Sequence, residues 1–196
     1  MKPQTFIFYG IVGSGKGTQV ELLEKYLREN KISNDILFTS TGSEYRKIIE
    51  SGSYTGKIVK TILEKGFLQP DFLTISLFTD ILVRDMKENT FLITDGFPRT
   101  VAQSEAFENM MKFYGRDEIK VVYLGISKEE AVTRMKLRGR TDDTDEGISN
   151  RFDEYVNNVI PSMNYFENKK GYTLYKINGE QSVEDVHKEL IKTLGL

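Results

Sequence analysis

The sequence predicts an α/β fold in which a five-stranded parallel sheet lies between two layers of helices. Short apolar runs rich in β-branched and aromatic residues alternate along the 196 residues with longer segments of helical period. These runs are apolar almost throughout, which is typical of parallel strands covered on both faces. They span residues 6–12, 36–40, 91–96, 121–126 and 172–177. Because helices alternate with the strands, we expect right-handed crossovers and one three-layer domain over residues 1–196.

Four segments carry the clearest helix signals. Residues 16–29 repeat apolar side chains at helical spacing. Ser127 and Ser182 each stand three residues before an acidic residue, a pattern typical of the N-terminal cap of a helix. Residues 147–168 predict one long helix, which Pro161 should bend or divide because proline lacks the N–H that a helix interior requires.

Composition and charge exclude several classes of protein. The 27 basic and 29 acidic residues give a net charge of −2, which argues against broad binding to nucleic acid or anionic membranes. No run approaches the roughly 18 apolar residues of a membrane helix, and the first residues lack the pattern of a secretion signal, so we expect a cytoplasmic protein. The sequence has no cysteine, which excludes disulfides and a cysteine-bound structural zinc.

A glycine-rich loop, GIVGSGKGT (residues 10–18), follows the first predicted strand and leads into the first predicted helix. Glycines let backbone N–H groups turn towards phosphate oxygens, a helix N-terminus favours anions, and Lys16 adds a positive charge. These features predict the P-loop NTPase fold and an ATP site. The alternative is a glycine-rich turn with a solvent-exposed lysine. The candidate phosphate-binding residues are Gly13, Ser14, Gly15, Lys16, Gly17 and Thr18.

Two motifs together resemble the adenylate kinase family of nucleoside monophosphate kinases. In the first, GKGTQ (residues 15–19), Gly17 separates the lysine from the hydroxyl residue that usually follows it directly. The second, FLITDGFPRT (residues 91–100), lies at the end of a predicted buried strand, where ligands of parallel sheets bind. The resemblance covers nearly the whole chain. It implies reversible phosphoryl transfer from ATP to AMP, giving two ADP.

The resemblance also assigns roles to the second motif. By the family pattern, Arg99 binds the acceptor phosphate, and Asp95 orders water around Mg²⁺ near Thr18, so that the metal has no direct protein ligand. Without the resemblance, Asp95 and Gly96 fit a simple turn at the end of a strand.

The acceptor is expected on residues 40–71, a small helical insertion that we call the flap. By resemblance, Thr41 lies near the base, Arg46 binds the monophosphate and Gln69 contributes a backbone carbonyl. The amide of Gln103 can both donate and accept a hydrogen bond, which matches the N1 and N6 edge of adenine. Relatives that act on UMP and CMP tend to carry Ala and Asn where this chain has Thr41 and Gln103, so these two residues favour AMP. The candidate AMP-binding residues are Thr41, Arg46, Gln69, Gly96, Arg99, Gln103, Arg140 and Arg151.

A group of arginines is expected on the donor side. Arg134 and Arg138 share one helix face at a spacing of four residues. By resemblance Arg134 packs against the donor adenine, Arg138 and Gln181 also belong to the ATP site, and further arginines contact phosphates. A surface ion-pair network with neighbouring aspartates is the alternative. The candidate catalytic residues are Lys16, Asp95, Arg99, Arg138, Arg140 and Arg151.

The chain departs from the family pattern at the lid, the segment that covers the phosphates. Only Gly139 separates Arg138 from Arg140, and residues 137–146 form a rudimentary lid loop where relatives have a longer one. Water must then be excluded either by rearrangement of the arginine-bearing helices or by a neighbouring subunit of a homo-oligomer.

Three rival functions remain at this stage. A kinase for UMP, CMP or another monophosphate uses the same chemistry. A small GTPase requires an Asn-Lys-x-Asp signature, whereas the nearest match, residues 168–171, lacks the aspartate. A non-catalytic binding protein is disfavoured because Lys16, Asp95 and Arg99 are all present.

Overall fold

A computed structural model describes residues 2–139 and 144–196. It contains one sheet of five parallel strands in the order β2-β3-β1-β4-β5, which confirms the predicted fold class. The strands are β1 (Thr5–Tyr9), β2 (Ile36–Ser40), β3 (Phe91–Asp95), β4 (Ile119–Gly125) and β5 (Tyr172–Asn178). β1 ends three residues earlier than predicted, because Gly10 turns the chain into the loop with a φ of 148°.

The helices of the described residues surround this sheet. They are α1 (Lys16–Glu29), α2 (Thr41–Glu50), α3 (Tyr54–Glu64), α4 (Asp71–Asp85), α5 (Val101–Phe113), α6 (Lys128–Arg138), α7 (Asp145–Glu154), α8 (Ile160–Asn164) and α9 (Val183–Leu194). The predicted caps are confirmed: Ser127 accepts a hydrogen bond from the Glu130 N–H, and Ser182 accepts one from the Asp185 N–H. The predicted flap comprises α2, α3 and the connection to α4.

The long helix predicted over residues 147–168 is a continuous helical run that changes its hydrogen-bonding pattern. A π-helical segment, Tyr155–Val159, joins α7 to α8 directly before Pro161. Proline lacks an N–H and its ring crowds the preceding turn of an α-helix, so a wider π turn lets the chain pass it without a break. The helical run begins at Asp145, before the predicted start at residue 147, and ends at Asn164, before the predicted end at residue 168.

The two faces of the sheet carry separate hydrophobic cores. Phe6 and Phe8 of β1 pack with residues of α1 and α9 on one face. Ile7 and Tyr9 point to the other face, where they pack with residues of α4 and α5. Successive residues of a strand alternate between faces, so a continuous apolar run is needed to fill both cores.

The sheet order sets the position of the site. The chain leaves β1 towards β2 on one side and, after β3, crosses to β4 on the other side of β1. A crevice therefore opens at the carboxyl ends of β1 and β3, where parallel sheets bind ligands. Within the described part of the chain, no helix combines the length and apolar character needed to cross a membrane.

Candidate active site

The glycine-rich loop joins β1 to α1 at this crevice. Gly13 and Gly15 adopt φ values of 90° and 89°, in the left-handed region that favours glycine. A Cβ on Gly13 would lie 2.9 Å from the carbonyl oxygen of Ala131, so a side chain is also excluded by space. α1 begins at Lys16 without a side-chain cap, which leaves the N–H groups of its first turn for a phosphate.

The side chain of Lys16 turns back towards the first residues of this loop. Its Nζ donates hydrogen bonds to the carbonyl oxygens of Gly10 and Ile11 at 2.7 and 3.0 Å. Burial lowers the pKa of Lys16 to about 8, and the nearby Asp95 carboxylate opposes that change. The ammonium group is thus held between neutral carbonyl groups, and a phosphate would be a better partner for its charge.

Asp95 ends β3 in register with Phe8 of β1. Its Oδ1 is buried and has no hydrogen-bond partner among the described residues. A buried carboxylate oxygen without a donor is costly, and a hydrated cation would satisfy it.

The loop forms one wall of a cavity of about 740 Å³ at the predicted ATP site, and we call it the donor cavity. The Arg134 guanidinium is fixed at the edge of this cavity by Glu130 Oε1 at 2.6 Å and the Gly179 carbonyl oxygen at 3.0 Å. Every predicted ATP-binding residue lines the cavity: Gly13, Ser14, Gly15, Lys16, Gly17, Thr18, Arg134, Arg138 and Gln181.

A second cavity of about 690 Å³ lies between the flap and the sheet, at the predicted AMP site, and we call it the acceptor cavity. Seven of the eight predicted AMP-binding residues line it: Thr41, Arg46, Gln69, Gly96, Arg99, Gln103 and Arg151. Arg140 lies outside the described residues, as do residues 141–143 of the predicted lid loop. Arg46, Arg99 and Arg138 line both cavities, so three guanidinium side chains stand where the two spaces meet.

The start of the flap is fixed to the loop after β3. Thr41 Oγ1 donates to the Gly96 carbonyl oxygen at 2.9 Å. Gly96 has a φ of 87°, and a Cβ there would lie 2.5 Å from Thr41 Oγ1. This contact needs glycine at position 96.

The predicted specificity residue, Gln103, is 1% exposed and held at both ends of its amide. Its Oε1 accepts from the Arg99 N–H and its Nε2 donates to Asp71 Oδ1, each at 2.8 Å. Gln69 was predicted to contribute its backbone carbonyl to the AMP site. Its side chain also holds the flap, because Nε2 donates to the Val59 carbonyl oxygen at 3.0 Å.

Several residues around the acceptor cavity were not anticipated. Tyr45 lines it and forms a hydrogen bond with Thr74 at 2.6 Å, and Lys60 and Glu64 line it from α3. Their spacing of four residues marks Lys60 and Glu64 as a helical ion pair, but nothing in the sequence says which surface they face. Asp71 was missed because its partner is 32 residues away in the chain.

Known proteins match this chain over nearly its full length. The family model described as adenylate kinase matches residues 8–171. An adenylate kinase of Thermosipho africanus is 32% identical, with 96% of this chain and 98% of the relative covered. Those of Flavobacterium psychrophilum and Bacteroides fragilis are each 33% identical, with 96% of both chains covered. The chain belongs to the adenylate kinase family.

Membership in the adenylate kinase family makes the chain a nucleoside monophosphate kinase, a phosphotransferase. It also removes the small-GTPase hypothesis. The Thermosipho alignment spans 219 positions, more than the 196 residues of this chain, so that adenylate kinase carries residues that this chain lacks.

Proposed function

We propose that this chain catalyses the reversible, Mg²⁺-dependent transfer of the γ-phosphoryl group of ATP to AMP, giving two ADP. The observation that carries the proposal is the pair of cavities, one on the phosphate loop and one under the flap, that meet at Arg46, Arg99 and Arg138. Phosphoryl transfer needs aligned reactants and neutralised phosphate oxygens, and little covalent help from the protein. An AMP phosphate is already anionic, so the reaction requires no general base.

Each part of the donor cavity has a role in this proposal. The loop N–H groups and Lys16 bind the β- and γ-phosphates, while Arg134 packs against the donor adenine. Arg138 and Arg151, with Arg140 outside the described residues, neutralise the charge of the group in transfer. Guanidinium groups suit this task because they remain charged and present fixed, paired donors.

The residues present fit a hydrated Mg²⁺ ion. Asp95 contributes the buried Oδ1, which has no hydrogen-bond partner among the described residues, and Thr18 contributes a hydroxyl to the same cavity. Both would hold the ion through its water molecules, which accords with the tendency of Mg²⁺ to keep its water. When bound, the ion supplies positive charge to the β- and γ-phosphates.

The acceptor is AMP in this proposal, because Gln103 stands in the acceptor cavity beside Thr41. Arg46 and Arg99 bind the acceptor phosphate. The hydroxyl of Thr41 is engaged by Gly96, so the amide of Gln103 is the group that distinguishes adenine from other bases.

The flap supplies part of the cover that a longer lid would give. Asn150 Nδ2 of α7 donates to the Lys65 carbonyl oxygen at 2.8 Å, and the backbone of Gly66 lies against the backbone of Gly147. The turn that follows α3 in the flap thereby reaches the helix that carries Arg151. A neighbouring subunit is the other source of cover, and activity that falls on dilution below an assembly concentration would indicate it.

A coupled assay with ATP and Mg²⁺ tests the proposal on AMP, UMP, CMP and GMP in turn. We expect turnover with AMP to exceed that with each other acceptor, and Lys16→Ala to abolish it. Comparable turnover of UMP would overturn the AMP assignment, and no turnover with any acceptor would revive the binding-protein hypothesis. Arg84→Ala, which changes an exposed arginine of α4 that lines neither cavity, is the matched control.

A further inference from the structure

The amide of Gln103 is held by the side chain of Asp71, the first residue of α4. We infer that Asp71 is a positioning residue that sets the preference of the site for adenine by fixing which end of this amide is the donor. The inference rests on the proposed function, in which Gln103 faces the acceptor base.

Two neighbours of opposite character determine the orientation of the Gln103 amide. The Arg99 N–H can only donate, and it faces Oε1 at 2.8 Å. An ionised Asp71 carboxylate can only accept, and its Oδ1 faces Nε2 at 2.8 Å. A flipped amide would place N–H against N–H and oxygen against oxygen in a buried position, and both hydrogen bonds would be lost.

The remaining half of the amide is complementary to adenine. Within the described part of the chain, Nε2 and Oε1 each use one hydrogen bond on the protein, so one N–H and one lone pair stay available for a ligand. The N1 of AMP accepts and its N6 amino group donates. Hypoxanthine, the base of IMP, has the reverse pattern, with a donor at N1 and an acceptor at O6. A fixed amide therefore favours AMP, and an amide free to flip would also fit IMP.

The same carboxylate connects the amide to the flap. Asp71 Oδ1 also accepts from Thr100 Oγ1 at 2.9 Å, and Thr100 in turn caps α5 by accepting from the Gln103 N–H at 3.1 Å. Asp71 lies at the end of the flap, so the orientation of the base-reading amide and the position of the flap depend on one side chain.

Asp71→Asn tests the inference, because asparagine has nearly the same shape but can donate as well as accept, so that only the Arg99 N–H still opposes a flip of the Gln103 amide. We expect the ratio of kcat/KM for AMP to kcat/KM for IMP to fall at least about tenfold, the size expected for one misplaced hydrogen bond. Most of the change should lie in KM, with KM for AMP rising and KM for IMP falling. Asp80→Asn, an exposed carboxylate of the same helix that pairs with Arg84, should leave the ratio unchanged.

Loss of activity on AMP and IMP by equal factors in Asp71→Asn would overturn the inference, because it would show a purely structural role. If Asp71→Asn does not fold, Asp71→Glu replaces it, since glutamate keeps an acceptor-only carboxylate. A folded Asp71→Glu should retain the preference for AMP, and a ratio near one would refute the inference. Failure of the wild-type chain to phosphorylate AMP would instead refute the proposed function.

Discussion

Gly66→Ala is expected to impair the acceptor side of the reaction by forcing the flap away from α7. Gly66 has a φ of 80°, and a Cβ there would lie 2.3 Å from the Gly147 carbonyl oxygen and 3.0 Å from its carbonyl carbon. An ordinary carbon–oxygen contact needs roughly 3.3 Å, so the two backbones must separate by about 1 Å. A displacement of about 1 Å in a catalytic site can lower the rate about 100-fold. The left-handed backbone adds roughly 1–2 kcal/mol of strain.

Gly52→Ala is the matched control, because it places the same strain in the same flap without the collision. Gly52 has a φ of 66°, and apart from Gly52 itself and its two chain neighbours no atom of residues 2–139 or 144–196 lies within 4 Å of the added Cβ. Thermal unfolding should show Gly52→Ala losing about 2–8 °C in Tm, the range expected from that strain in a domain of this size, and Gly66→Ala losing at least as much because of the added collision. In the coupled assay, only Gly66→Ala should lower kcat/KM for AMP, by about 10- to 100-fold.

Equal kcat/KM values for AMP in Gly66→Ala and Gly52→Ala would refute the reasoning. That result would mean that the contact between the flap and α7 does not hold the acceptor in place. A defect in Gly66→Ala that appears only in KM for ATP would refute it as well.

Three further predictions follow from the described residues. Arg99→Ala should lower kcat at least about 100-fold, as for removal of one preorganised charge donor, whereas Arg84→Ala should not. The affinity for ATP, measured by calorimetry, should fall as the pH rises above about 8, because the pKa of Lys16 is lowered to about 8 and binding needs the charged ammonium. Glu108→Gln should destabilise the fold at neutral pH, because hydrogen bonds from Lys112 and Lys169 lower the pKa of Glu108 to about 2.

The sign of the Glu108 effect follows from the lower pKa in the folded state. The stabilisation is fully present above the ordinary value of 4.5 and is lost as the pH falls towards about 2. Chemical denaturation of wild type and Glu108→Gln should therefore differ most above pH 4.5 and converge at low pH. A difference independent of pH, an ATP affinity that is flat to pH 9.5, or a near-normal rate in Arg99→Ala would each contradict its prediction.

The sequence by itself determined the elements and the chemical class. The apolar runs of β1 and β3 indicated strands covered on both faces, and the glycines around Lys16 indicated a phosphate loop, because both patterns depend only on neighbours in the chain. The candidate arginines were also visible in the sequence, and the short lid stays a prediction. Helix bounds near Pro161 were predicted less well, because the proline was expected to bend or divide the helix, whereas a π-helical segment carries the chain past it.

Only the tertiary structure decided which of these residues meet. The order β2-β3-β1-β4-β5 brings β1 and β3 together although about 80 residues separate them, and it places Arg46, Arg99 and Arg138 between two cavities. Two further contacts also join residues that are far apart in the chain: the hydrogen bond between Asp71 and Gln103, and the contact between Gly66 and Gly147. No local pattern marks such pairs, because each partner is an ordinary helix or loop residue until the crossovers of the sheet bring the two segments together.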